Sequence, residues 1–189
     1  IKGVGFWENG FREVTNDKKE IVAPEDLKGM KIRTMENNVH MATYKELGAT
    51  ATPMAWSEIF TALQQGTVDG QENPIAIIES AKVYEVQKYV SMIDLFYSPC
   101  VLMIAQSTYD SFTDAQKEAF DKAAEEAKTY QREYSAGYTD EAVQKMKDAG
   151  VTVTDVDKAQ WKEAAAGVYD ELDSLGLNKE LVEKIQACK

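Results

Sequence analysis

Three arginines stand apart in a chain that otherwise takes its positive charge from lysine. Of 21 basic residues, only Arg12, Arg33 and Arg132 are arginine. A guanidinium is a planar, permanently charged fork that grips a carboxylate through two parallel hydrogen bonds, and lysine does not replace it there. Arg33 lies between Ile32 and Thr34 in a short strand pattern, a more apolar setting than a surface charge needs. At the carboxyl end of a sheet such a residue is placed to point into a cleft. The alternative is an ordinary ion pair with a nearby Asp or Glu. The same two choices hold for Arg12, which follows the turn-like ENGF. Asn73, in DGQENP, precedes Pro74, where a helix begins. Its amide either bonds a polar ligand, beside a helix start that favours an anion, or caps that helix. Trp56 offers a stacking surface, yet it shares a helical stripe with Ile59, Phe60 and Leu63, which favours core packing.

Catalytic chemistry is thinly supplied. The sequence contains no GxSxG elbow, HExxH, GxxxxGK[ST] or GxGxxG. The single histidine, His40, sits between Val39 and Met41 in a helical segment and reads as a surface or boundary residue. Asp69 and Glu72 flank a glycine turn with no further metal ligands nearby in sequence. An acid–base enzyme acting on sugar acids would have to use these three. Cys100, in an apolar strand-like run, and Cys188, next to the last residue, give no disulfide framework and read as unpaired thiols. Acidic residues number 32 against 21 basic, for a net charge of −11. Such a surface repels phosphate backbones and anionic lipid, which excludes nucleic acid as the natural partner. No apolar run approaches the ~20 residues of a bilayer span, so direct membrane insertion is not expected. A 44% hydrophobic content supports a packed interior. No cofactor is implied.

The elements that must position these residues alternate in type. Residues 31–34 read as a strand, entered through APEDLKG. A helix follows from about Asn38 to Leu47, closed by Gly48. TVDGQEN reads as a strand with a turn, and Pro74 opens the helix IAIIESAKV. Ser98 to Ala105 reads as a central strand whose consecutive apolar residues suit burial on both faces. Thr113 and Gln116 match a capping box, starting a helix from Asp114 to about Asp148 with Gly137 as a candidate bend. At roughly 50 Å this is longer than one small domain needs, and it suggests a strut crossing two lobes. VTVTDV alternates as a strand. A helix then carries Trp161, Ala165, Val168, Tyr169 and Leu172 on one stripe, and the last helix carries Leu181, Val182 and Ile185. The order fits an α/β architecture. The abrupt, glycine-punctuated start at Ile1 is expected of a chain cut from a longer protein.

The strings ENGFREVTN, DLKGMKIRTM, GATATPMAWSEIFTALQQGTVDGQENP and YEVQKYV together resemble the DctP-type solute-binding proteins of tripartite ATP-independent periplasmic (TRAP) transporters. The resemblance runs from about Phe6 to the C-terminus. It implies an α/β fold of two lobes, like other periplasmic binding proteins, with a long lobe-spanning helix and the first lobe incomplete. Residues 1–9 would be a remnant of the first lobe and 10–97 the second lobe. Residues 98–138 would be a crossing strand and the long helix returning to the first lobe, 139–165 second lobe again, and 166–189 the first lobe's C-terminal helices. Arg33 matches the arginine that grips the ligand carboxylate, Arg12 a second pocket arginine, and Asn73 the asparagine assisting at the same carboxylate. Trp56 matches an aromatic of the cleft wall. Tyr97 to Cys100 would lie on the crossing strand beside the pocket. The implied function is a periplasmic or cell-surface-anchored solute receptor, binding a C4-dicarboxylate or uronate-like sugar acid and delivering it to the TRAP membrane permease. The alternative is a partner-docking scaffold with no small ligand. Self-association of the chain taken alone is also expected, through exposed apolar surface.

Overall fold

The computed structural model describes residues 1–188. Six strands form one sheet: β1 (Lys2–Asn16), β2 (Lys31–Thr34), β3 (Thr50–Pro53), β4 (Gly70–Pro74), β5 (Tyr89–Ile104) and β6 (Thr152–Asp155). Their order across the sheet is β3-β2-β4-β1-β5-β6. Strand β1 runs antiparallel to both neighbours, and the other pairings are parallel. The helices are α1 (Asn38–Glu46), α2 (Ile59–Gln64), α3 (Ile75–Ser80), α4 (Gln106–Asp110), α5 (Asp114–Asp148), α6 (Lys158–Ala164) and α7 (Lys179–Gln186).

Both faces of the sheet are covered, as a largely parallel sheet requires. One core joins Ile59 and Leu63 of α2, Ile75 and Ile78 of α3, and Met146 of α5. The other joins Tyr44 of α1, Trp161 of α6, and Ile32 and Val14 of the sheet. Asn37 caps α1, its side chain accepting from the Val39 and His40 amides. The capping box expected at Thr113 and Gln116 is present. From there α5 runs 35 residues as unbroken helix, so Gly137 makes no break.

Strands β1 and β5 pair along almost their full lengths, from Asn16–Tyr89 to Lys2–Ile104. Their inner halves belong to the sheet. Their outer halves leave it as a two-stranded ribbon, supported by α5. The side chain of Gln131 accepts from the Glu8 amide (2.8 Å) and donates to the Glu8 carbonyl (2.7 Å). Arg132 donates to the Phe6 carbonyl through Nη2 (2.7 Å).

Several sequence expectations are corrected here. ENGF is not a turn: Gly10 sits at a bulge within β1 with φ of 117°, a conformation suited to glycine. The run from Val101 to Met103 is not buried on both faces. Val101, Leu102 and Met103 are all exposed, because they lie on the ribbon, paired with β1 alone. Of the stripe expected through Trp56, Ile59 and Leu63 are buried while Trp56 and Phe60 are exposed. Trp56 begins a 3-10 turn that precedes α2, and the tighter winding rotates it off the helix face. The helix bearing Trp161 ends at Ala164, and Ala166–Glu171 continue as 3-10 turns. Cys100 and Cys188 are free and exposed.

Candidate functional site

Strand β2 is where the chain's winding reverses. From β2 it passes through α1 to β3 on one side, then through α2 on the opposite face to β4 on the other side. The two connections diverge and leave a crevice beyond the carboxyl ends of the strands, the usual ligand position in open α/β sheets. A cleft of about 470 Å³ lies there. Arg33 and Met35 reach it from the end of β2, Trp56 from the connection after β3, and Asn73 from the end of β4. Asn9 and Arg12 enter from the antiparallel β1, and Ile77, Ser80 and Ala81 close it from α3.

Arg33 is 3% exposed. Its Nε and Nη2 donate to one acceptor, the Met54 carbonyl, at 3.0 and 2.5 Å. No carboxylate pairs with it among the described residues. Burial lowers the guanidinium's pKa from its usual value, Glu72 opposes that shift, and Arg12 adds to it. The local ion pair considered for Arg33 is therefore not what forms.

Arg12 is held differently. Its Nε and Nη2 engage both carboxylate oxygens of the fully buried Glu72, and Nη2 also reaches the Glu72 carbonyl (2.9 Å) and the side-chain oxygen of Asn73 (2.9 Å). Asn73 in turn donates to Gln71 Oε1 (2.5 Å). It does not cap α3, whose N-cap is Pro74 and lacks a side-chain cap. Beyond it, Gln71 donates to Thr15 Oγ1 (3.1 Å), which donates to Gln87 Oε1 (2.9 Å). A buried network thus fixes the amide of Asn73 beside Arg12.

His40 overturns the expectation of a surface residue. It is buried, stacked on Phe96 with ring centroids 4.0 Å apart, and its Nδ1 lies 3.3 Å from Glu72 Oε1. Glu72 therefore holds Arg12 on one side and His40 on the other. Asp69 does not join them, since it accepts from the Lys31 amide (2.8 Å) at the other end of β4. The acid–base set of His40, Asp69 and Glu72 is not assembled. No group of three or more metal-ligating side chains occurs among the described residues, nor is any described helix long and apolar enough to cross a membrane.

Tyr97 and Cys100 lie outside the cleft. The Tyr97 hydroxyl donates to Glu8 Oε2 (2.6 Å) on the ribbon, and its ring lines a neighbouring cavity with Glu13 and Asp94. Cys100 is farther out, opposite Trp7. The cleft residues that sequence reasoning missed are Asn9, Met35, Ile77, Ser80 and Ala81. Each is a common residue type without a local signature, and the reversal of winding at β2 would have been the only pointer.

Sheet order and cleft together define an α/β binding protein with a cationic crevice at its switch point. Over residues 1–174 the chain matches the DctP family, described as bacterial extracellular solute-binding protein, family 7, and it belongs to that family. It is 41% identical over 190 residues to a solute-binding protein of Verminephrobacter eiseniae (strain EF01-2), covering 100% of this chain and 56% of that one. It is 39% identical over 165 residues to the 2,3-diketo-L-gulonate-binding periplasmic protein of Escherichia coli (strain K12), covering 87% and 50%. A TRAP periplasmic solute-binding protein from Polaromonas sp. JS666, solved bound to D-erythronate, superposes with a TM-score of 0.91 at 42% identity, covering 99% of this chain and 62% of that one. The chain thus spans about half the length of these two relatives. Its fold is that of the TRAP periplasmic binding proteins, and its family is one of periplasmic solute-binding proteins, not enzymes.

Proposed function

We propose that the chain forms the carboxylate-gripping half of a solute receptor for a TRAP-type transporter. The observation that carries this is Arg33: a buried guanidinium at the carboxyl end of the switch strand, bonded to one carbonyl and facing a cleft. A small organic acid placed there would pair with the guanidinium of Arg33, with Asn73 and Arg12 beside it as donors. Trp56, 48% exposed at the cleft wall, supplies an apolar face. The relatives' ligands, D-erythronate and 2,3-diketo-L-gulonate, are both sugar acids and support that class of solute. The bound form would then be what the membrane permease recognises.

Calorimetry on the whole gene product with a panel of organic acids tests the reading. Arg33→Ala is expected to weaken the best ligand by about 2–5 kcal/mol, the usual result of removing one partner of a desolvated charge pair. Arg33→Lys keeps the charge and loses the fork, so it should fall close to Ala. Undiminished binding by a folded Arg33→Ala protein rules the reading out.

A further inference from the structure

The ribbon leaves the sheet at a pair of facing irregularities. Arg12 of β1 is paired with Phe96 and Val14 with Ser91, so residues 92–95 of β5 stand against the single Glu13. Asp94 lies within that excess at φ 49°, a left-handed conformation that Asp tolerates better than most residues. Glu13 spans the gap: it accepts from the Asp94 amide (3.0 Å), and its carboxyl is hydrogen-bonded to the Asp94 carboxyl. A bond between two carboxyls needs one proton between them. The cations nearby are committed elsewhere. Lys158 of α6 is held by Asp94, with Asp155 of β6 near it. Arg12 is held by Glu72. Glu13 also lines a cavity of about 350 Å³, where α5 contributes Arg132 and β1 contributes Glu8. Arg132 donates to the Phe6 carbonyl, and Glu8 accepts from Tyr97. From α3 that cavity receives only the apolar Ile75 and Ala76. Tyr44 of α1, which also feels Glu13, keeps its hydroxyl proton. Glu13 itself is 2% exposed, so water does not screen it. Burial and the Asp94 carboxyl both favour its neutral form.

We propose that Glu13 and Asp94 form a proton-held pin at the root of the ribbon: the shared proton fastens β1 to β5 across the bulge, and its loss lets residues 92–95 open, loosening the ribbon where it joins the sheet. Opening hydrates Glu13 and separates two like charges, so the ionised pair favours it. The protonated pair has a hydrogen bond to lose and opposes it. The device belongs to β1, β5 and α6 and is independent of Arg33.

Amide hydrogen exchange on the whole gene product tests this, with rates corrected for the intrinsic rise of exchange with pH. Protection at residues 92–95 is expected to fall by up to about tenfold per pH unit, the linkage of one proton. The fall should lie between pH 4.5 and about 8 and level off above. It should be insensitive to dilute urea, which marks a local opening. Glu13→Gln carries a permanent donor and acceptor and should make the profile flat. A flat native profile overturns the proposal, as does a folded Glu13→Gln protein with the native profile. Exchange that follows urea as the β2 amides do also overturns it, since the proton then acts only in global unfolding. Should Glu13→Gln not fold, the carboxyl carbon-13 signal of Glu13 in the native protein decides together with the native exchange profile. A midpoint nearer 8 than 4.5 upholds the shared proton, and one nearer 4.5 removes it.

Discussion

At the scale of single residues, the buried acids divide by their partners. Glu72 has Arg12 and His40. Glu13, also on the interior, has another acid. It is 2% exposed and accepts from the Asp94 amide (3.0 Å), while the Asp94 carboxylate is paired with Lys158 of α6. Burial first, and the Asp94 carboxylate next, push Glu13 up to about 8 from 4.5. The folded chain therefore holds a proton on Glu13 where the unfolded chain has released it. The stability this contributes is complete below about pH 4.5 and is lost as pH rises through about 8. Urea midpoints measured across that window should fall with rising pH, and Glu13→Gln, which imitates the protonated acid, should flatten the decline. Identical slopes in native and variant would sink this account. Sequence alone singled out Arg33 because arginine is scarce here and a short apolar strand surrounds it. It reached Glu72 only as part of an acid–base set with Asp69 and His40, not as the partner of Arg12, and it did not reach Glu13 at all; both are acids among 32. Their partners lie 60 and 81 positions away. His40 was misjudged for the same reason, since Phe96 and Glu72, which bury it, are remote in the chain.

At the scale of elements, the cleft depends on the spacing of β2, β4 and β1. Gly70 opens β4 between its two neighbours, paired with Asn16 on one side and Ile32 on the other. A Cβ there would overlap the Thr15 carbonyl oxygen and come within 3.2 Å of Ile32 Cδ1. Backbone is what must give way, so Gly70→Ala is expected to destabilise by about 1–3 kcal/mol or more. It should also weaken ligand binding, because moving β4 off the Thr15 carbonyl of β1 displaces Asn73 from Arg12. A thermal-shift series with and without ligand checks both, and an Ala variant with native melting behaviour contradicts the packing. The elements themselves were largely legible: the capping box at Thr113, the glycine stops and the Arg33 strand each follow from local chemistry. What local chemistry did not carry was orientation. Trp56 leaves its stripe because one 3-10 turn precedes α2, and nothing in a period of apolar residues distinguishes that turn from helix.

At the scale of the molecule, the sheet and the ribbon differ in how they are held. The sheet is covered on both faces, while the ribbon is two strands with α5 along it, and a two-stranded ribbon has little stability of its own. Val101 and Met103 share one face of β5, and Phe6 stands directly across from Val101. Phe6 is 58% and Met103 57% exposed, so this face is apolar and open. An apolar run in sequence marks a surface that some partner covers, without saying whether that partner lies within the same 189 residues. This is why Val101 to Met103 looked like a buried central strand. Produced on its own, the 189-residue chain is expected to cover that face with a second copy, since open strand edges beside an apolar face favour pairing. Sedimentation velocity should then show a concentration-dependent dimer. Phe6→Ser combined with Met103→Ser should return the chain to monomer while leaving its far-ultraviolet circular dichroism unchanged, because neither residue belongs to the two cores. A native chain that stays monomeric as concentration rises would show that α5 and the net charge of −11 are enough to keep the ribbon apart from its copies.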